Sequence, residues 1–148
     1  MLQAACNKVP LYPDEPILTD GSFELLKNSI GQDTAVLIKF KFTDGDGDLG
    51  LTAADTIPPY DKNLFVAYFQ KVDGKFEKIV LPGSTDTLNV NTRIRDYNIT
   101  GANAAQAEVS LNINISVVLA YTILFEYYLR DKARNISNKL STGPIALN

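Results

Sequence analysis

The chain has 148 residues, of which 45% are hydrophobic and 21% are charged, and these values are ordinary for one globular domain with a real core. The formal net charge is −3 and the lysines and arginines are scattered, so nucleic-acid binding is not expected. The sequence contains no histidine, which excludes histidine-based catalytic triads and most zinc sites. No apolar run reaches the length of a membrane span.

Residues 1–13 are predicted to form an extended tether ahead of a single domain that covers residues 14–148. Pro10, Pro13 and Pro16 disfavour a regular helix there. Small residues precede Cys6, as at the end of a bacterial lipoprotein signal, in which the cysteine becomes the lipidated N-terminus. Gln3 stands where such signals prefer leucine, and the alternative is a free thiol in a disordered tail.

Alternation of apolar and polar residues predicts β-strands through most of the domain. The pattern is clear at residues 36–42, 109–116 and 121–129. Residues 64–71 and 75–80 flank a glycine-containing turn and predict a hairpin.

Weaker strands are predicted at residues 15–19, 92–97 and 139–147, and one helical turn is predicted at 23–27. Short strands at this spacing favour an all-β, antiparallel β-sandwich of about seven strands. The expected core includes Ile38, Phe40, Phe42, Leu111, Ile113, Ile123 and Phe125.

The run at residues 44–48, which reads Asp-Gly-Asp-Gly-Asp, directly follows a predicted strand. Its carboxylates repel one another unless a cation or N–H donors offset the charge, and the glycines let the backbone curl so that they converge. Hard oxygen ligands of this kind suit Ca²⁺. Leu49 occupies the position at which an EF-hand requires glycine, so the sequence predicts a Ca²⁺ site on a β-loop instead. The predicted ligands in this run are Asp44, Asp46 and Asp48.

A second polar loop, at residues 130–138, follows the late strand. In an immunoglobulin-like sandwich the second and sixth strands run in the same direction, so the loops after them emerge at the same end. We therefore expect Asp131 to lie near the aspartate run and to be the fourth metal ligand. The first strand begins at that end too, which should bring Asp14 and Glu15 close.

Three alternatives stay open. Asp-Gly pairs are common turn formers, and the run could be an acidic turn neutralised by Arg130, Lys132 or Arg134 without a metal. A glycosidase needs two carboxylates across a cleft, one with a raised pKa, and the sequence places none in an apolar pocket, so no catalytic residue is expected. A carbohydrate platform could be formed by aromatic residues, although aromatics at alternate strand positions are more often core; the candidates are Tyr68, Tyr97, Tyr127 and Tyr128.

Several motifs taken together resemble small Bacteroidetes-type surface lipoproteins of unknown function. They are Cys6, the Tyr-Pro-Asp-Glu-Pro stretch at 12–16, the aspartate run, the stretch 93–103 and the late loop 131–138. The late loop departs from that group's pattern, because Lys132 replaces arginine and Arg134 replaces glycine, which predicts an altered turn and puts the role of Asn135 in question.

The resemblance implies an immunoglobulin-like β-sandwich anchored to the outer membrane through a lipid on Cys6. The expected function is that of a non-enzymatic, extracytoplasmic binding or accessory module, with Ca²⁺ as the candidate cofactor and a surface protein or a glycan as the partner. Contact with the membrane is expected only through the lipid anchor. The alternatives are a carboxylate-dependent glycan-acting enzyme and a purely structural subunit of a surface complex.

Overall fold

The structure, a computed structural model, describes residues 11–80, 83–95, 105–115 and 120–148. Within these ranges the chain forms β-strands and no helix, which confirms the all-β prediction. The strands are β1 (Ile17–Lys27), β2 (Asp33–Asp44), β3 (Leu64–Val72), β4 (Lys75–Lys78), β5 (Ala105–Asn114), β6 (Thr122–Leu129), β7 (Leu140–Ser141) and β8 (Ile145–Ala146).

The strands form two antiparallel sheets. One has the order β1-β2-β5, and the other has the order β4-β3-β6-β7, with β8 also paired to β6. The first, second and fifth strands thus lie opposite the third, sixth and seventh, as in an immunoglobulin-like sandwich, and β4 extends the second sheet beside β3 as the additional strands of variable-type domains do. The last predicted strand, 139–147, is divided into β7 and β8 because Gly143 adopts a left-handed φ of 69° between them.

The helical turn predicted at residues 23–27 is wrong. These residues belong to β1, where Phe23 pairs with Ile38 and Leu25 pairs with Val36 of β2. One isolated helical turn is unstable because few hydrogen bonds compensate its nucleation cost, whereas pairing with β2 gives each residue a ladder partner. The irregularity in β1 between Thr19 and Ser22 interrupts the alternation that would have indicated a long strand.

The core lies between the two sheets. Contacts between aromatic rings fill it: Phe40 of β2 lies 5.1 Å from Tyr127 of β6, and Tyr68 lies 4.4 Å from Phe125. Leu111 is only half-buried because β5 pairs, among the described residues, with β2 alone and so lies at the side of its sheet. The other predicted core residues are buried, namely Ile38, Phe40, Phe42, Ile113, Ile123 and Phe125.

The topology brings the ends of β2 and β6 to the same end of the sandwich. Asp44 is the last residue of β2, and the loop that follows β6 begins at Arg130. The main-chain N–H of Ala133, in the loop after β6, donates to Asp48 Oδ2, in the loop after β2, at 2.9 Å. The predicted meeting of these two loops is therefore confirmed, although they are far apart in the sequence.

Candidate metal centre

Three carboxylates converge immediately after β2. Asp44, Asp46 and Asp48 each offer one oxygen atom, and these three atoms lie within 4.8 Å of one another. Asp44 is fully buried, Asp48 is half-buried and Asp46 is exposed, so the cluster lies partly inside the sandwich and opens to solvent on one side. Gly47 between the last two adopts a φ of 71°, which gives the loop the left-handed curl that glycine tolerates without strain.

The cluster contains two buried oxygen atoms without a partner. Asp44 Oδ2 accepts a hydrogen bond from the Leu49 N–H at 2.9 Å, but Asp44 Oδ1 is buried and accepts none. Asp48 likewise uses Oδ2 for Ala133, while its buried Oδ1 is unpartnered. Because a buried acceptor without a partner costs about 1–3 kcal/mol, two such atoms in one cluster favour a further ligand.

Burial also changes the acidity of these groups. The pKa of Asp44 is raised to about 7, mainly by burial and also by the charges of Asp46, Asp48 and Asp131, against the opposing hydrogen bond from the Leu49 N–H. Burial raises the pKa of Asp48 too, with Asp131 and Asp46 as additional causes. A bound cation would remove this penalty, since an opposite charge at short range favours the ionised carboxylate.

Asp131 lies beside the cluster and is itself buried. Its Oδ1 accepts from the main-chain N–H of Asn135 at 2.7 Å, and its Oδ2 accepts from Asn135 Nδ2 at 2.8 Å. Asn135 therefore fixes the orientation of the fourth predicted ligand. Each oxygen keeps a second lone pair, and coordination by Asp131 stays a prediction.

Arg134 replaces the glycine of the resembled pattern and still forms the turn. Its φ is 74°, its N–H donates to the Asp131 carbonyl oxygen at 3.2 Å, and the Asp131 N–H donates to the Asn135 carbonyl oxygen at 3.1 Å. The turn around Asn135 is thus closed by hydrogen bonds, with a non-glycine residue in a conformation that costs about 1–2 kcal/mol.

The basic residues of the late loop are engaged elsewhere. Arg130 Nη2 donates to the Pro59 carbonyl oxygen at 2.6 Å, and its guanidinium lies 4.6 Å from the Phe65 ring centroid. Lys132 Nζ lies 3.7 Å from Asp55. None of the ion pairs among the described residues includes an aspartate of the cluster or Asp131, so the salt-bridged acidic turn lacks its neutralising partners.

The N-terminal segment contacts the same loop. The Gly45 N–H donates to the Pro13 carbonyl oxygen at 2.8 Å, and a Cβ atom at Gly45 would overlap the carbonyl oxygens of both Tyr12 and Pro13. Glycine is therefore required at position 45. Asp14 and Glu15, which were expected near the cluster, are exposed and do not belong to it.

Two asparagines that support the site were not predicted. Asn63 is buried; its Nδ2 donates to the Leu49 carbonyl oxygen at 2.6 Å, and its Oδ1 accepts from the Ile94 N–H at 2.6 Å. Asn138 holds β1, because its side chain accepts from the Leu18 N–H at 2.8 Å and donates to the Leu18 carbonyl oxygen at 3.0 Å. A lone asparagine outside a strand pattern gives no sequence signal of such a role.

Apart from the aspartate cluster, a groove of about 310 Å³ lies on the outer face of the β3–β6 sheet. Phe65 and Tyr128 stack there at 5.1 Å with 12° between their planes. Arg130 covers Phe65, and Lys139 Nζ lies 5.7 Å from the Tyr128 centroid, so the ring faces are already in contact with the protein's own cations. Of the other platform candidates, Tyr68 and Tyr127 are buried and Tyr97 lies outside the described residues.

Comparisons of the chain with protein-family models, with curated proteins and with solved structures find no match. In the part of the chain that the structure describes, no helix is long and apolar enough to cross a membrane. Function is therefore argued from the geometry and charge of the aspartate site.

Proposed function

We propose that this chain is a non-enzymatic, extracytoplasmic binding or accessory domain whose aspartate loop binds Ca²⁺. The observation that carries the cation is Asp44 Oδ1, a fully buried carboxylate oxygen without a partner, next to two further carboxylates. Four aspartates with no described basic partner favour a cation, because an isolated buried charge is otherwise expensive.

The donor set favours Ca²⁺ among the common cations. The three clustered side chains offer only oxygen, which Ca²⁺ and Mg²⁺ prefer and which suits Cu⁺ or Zn²⁺ less well. Ca²⁺ accepts six to eight ligands in flexible geometry, whereas Mg²⁺ demands a near-ideal octahedron and gives up its water reluctantly. A glycine-containing loop that mixes buried and exposed carboxylates suits the larger, more tolerant ion.

A glycan-acting enzyme is the weaker candidate. Asp44 has the raised pKa of a general acid, but its residue is 0% exposed, so a substrate could not reach it. Glu126 lines the outer groove without a second carboxylate among that groove's described lining residues. Hydrolysis of a polysaccharide that disappears in Asp46→Asn or Glu126→Gln would favour the enzyme over our proposal.

The proposed setting is the cell surface, with a lipid on Cys6 and with a surface protein or a glycan as the partner. A purely structural subunit is the alternative within the same setting. Recovery of one defined partner with the wild-type chain from native membranes would support a binding or accessory role, and persistent recovery of the chain alone would contradict it.

The cation is tested by thermal unfolding. A ligand that binds only the folded state stabilises it by about 2.7 kcal/mol when its concentration is 100 times the Kd. We expect the Tm to rise with millimolar Ca²⁺ and to return with chelator, and we expect Asp46→Asn, at an exposed position, to weaken this response while keeping the fold.

The matched control is Asp86→Asn, which removes one charge from an exposed residue outside the cluster. It should retain the full response to Ca²⁺. If the wild type melts at the same temperature in Ca²⁺ and in chelator, and Asp46→Asn is more stable than wild type in both, the loop is an acidic turn and binds no metal.

A further inference from the structure

We infer that the cation site also fastens the N-terminal segment to the sandwich, so that Ca²⁺ binding and the docking of residues 12–16 stabilise each other. We name these residues the strap. The inference rests on the proposed Ca²⁺ site and adds a consequence for the segment that precedes the sandwich.

The main contact of the strap is with the backbone between two of the aspartates. Gly45 lies directly between Asp44 and Asp46, and its N–H donates to the Pro13 carbonyl oxygen at 2.8 Å. The carbonyl oxygens of Tyr12 and Pro13 occupy the space where any other residue at position 45 would place its Cβ. The strap therefore packs closely against the aspartate loop at Gly45, and a small shift of the loop would break this contact.

Two further contacts define the ends of the strap. The Tyr12 hydroxyl donates to Gln106 Oε1 at 2.8 Å, on the strand next to β2. Pro16 is buried, and β1 begins at the next residue, so the far end of the strap is held by the sandwich itself. Only the part near Tyr12 and Pro13 depends on the loop.

The physical link is the repulsion among the carboxylates. Without a cation, the three oxygens within 4.8 Å favour an opened loop, and Gly45 moves with the aspartates on either side. With a cation bound to the buried Asp44 Oδ1 and its neighbours, the loop is closed and presents the Gly45 N–H to the strap. The coupling is reciprocal, so a weakened strap lowers Ca²⁺ affinity by the factor by which Ca²⁺ favours docking.

Hydrogen exchange of the full chain tests the inference, with Ca²⁺ affinity measured in parallel by calorimetry. We expect Ca²⁺ to slow exchange of the Gly45 N–H, which donates to the Pro13 carbonyl oxygen, by about 5-fold or more in wild type, within the usual range of coupling between two sites. The β3–β4 turn at Gly74 serves as the internal reference and should not change. Tyr12→Phe, which removes only the bond to Gln106, should lower Ca²⁺ affinity although its side chain is no metal ligand.

The outcomes separate the two proposals. If calorimetry shows Ca²⁺ binding while exchange of the Gly45 N–H is the same with Ca²⁺ and with chelator, the strap is not coupled to the cation, and the Ca²⁺ site stands. If calorimetry shows no Ca²⁺ binding, both the proposed Ca²⁺ function and this inference are wrong. Slower exchange together with reduced affinity in Tyr12→Phe supports both.

Discussion

At the scale of single residues, Asp44 belongs both to strand β2 and to the carboxylate cluster. It continues the alternation of β2, so its side chain enters the interior at the position where an apolar residue would be expected. The sequence predicts an acidic cluster from spacing alone, but the burial of one member could not be predicted, because it depends on where β2 ends relative to the loops packed on it. That burial makes the site sensitive to protons.

The first prediction concerns pH. The pKa of Asp44 is about 7 in the folded protein against an ordinary value of 3.8, so between pH 4 and 7 the folded state holds a proton that the unfolded state has released. In chelator, the free energy of unfolding should therefore fall as pH rises from about 4 to about 7, by at most ~4 kcal/mol, and then level off. Urea unfolding at pH 5 and pH 8 measures this change.

Controls separate the contribution of Asp44 from those of Asp33 and Asp55. Hydrogen bonds from Lys27 and Thr52 lower the pKa values of Asp33 and Asp55, so the stabilisation from these groups is lost below about pH 4 and outside the tested window. Asp44→Asn should remove the contribution of Asp44 and leave that of Asp48, whose pKa burial also raises. Saturating Ca²⁺ should reverse the dependence because the cation binds the ionised site. A wild type that becomes more stable from pH 5 to pH 8 in chelator would refute this account.

At the scale of elements, the sequence predicted best where one face of a strand is buried. The alternation in β2, β5 and β6 identified these strands and the predicted core residues, since each second residue packs between the sheets. β1 and the divided last strand were predicted less well because an irregularity in one and Gly143 in the other interrupt the period. Between strands, buried polar side chains organise the loops, and no periodic signal marks them.

Asn63 provides the test at this scale. Its amide bonds to Leu49 and Ile94 tie the segment after the aspartate run to the segment before residue 95. Asn63→Ala should leave the Leu49 carbonyl oxygen and the Ile94 N–H without these partners, while the Ile94 carbonyl oxygen keeps the Leu51 N–H, and should destabilise the protein by roughly 3 kcal/mol in denaturant unfolding. Asn89→Ala is the control, because Asn89 is exposed and its side chain donates to Thr87, two residues away. If Asn63→Ala destabilises the protein no more than Asn89→Ala does, water replaces the hydrogen bonds of the Asn63 amide.

At the scale of the whole molecule, the immunoglobulin-like strand order assembles the site from distant parts of the sequence. The order predicts that the loops after β2 and β6 meet, and this follows from the direction of the strands alone. The details could not be predicted, because the bond between Ala133 and Asp48 and the docking of Pro13 on Gly45 depend on side-chain and loop packing. The cation site and the incoming N-terminal segment thus share one end of the sandwich.

This arrangement has a consequence for the proposed lipid anchor. Six residue steps separate Cys6 from Tyr12, and an extended chain spans at most ~3.6 Å per residue, so an anchored Cys6 would hold the cation end within about 22 Å of the membrane surface. We expect the chain, expressed behind a bacterial lipoprotein leader, to partition into detergent with a lipidated Cys6 as its N-terminus, and Cys6→Ser to stay in the aqueous phase with its fold unchanged. Phase partition and mass spectrometry of the N-terminus measure both. An unmodified N-terminus upstream of Cys6 in the wild type would contradict the proposed anchor, and with it the proposed orientation, in which the aspartate loop would face the membrane and the β3–β4 turn would point away from it.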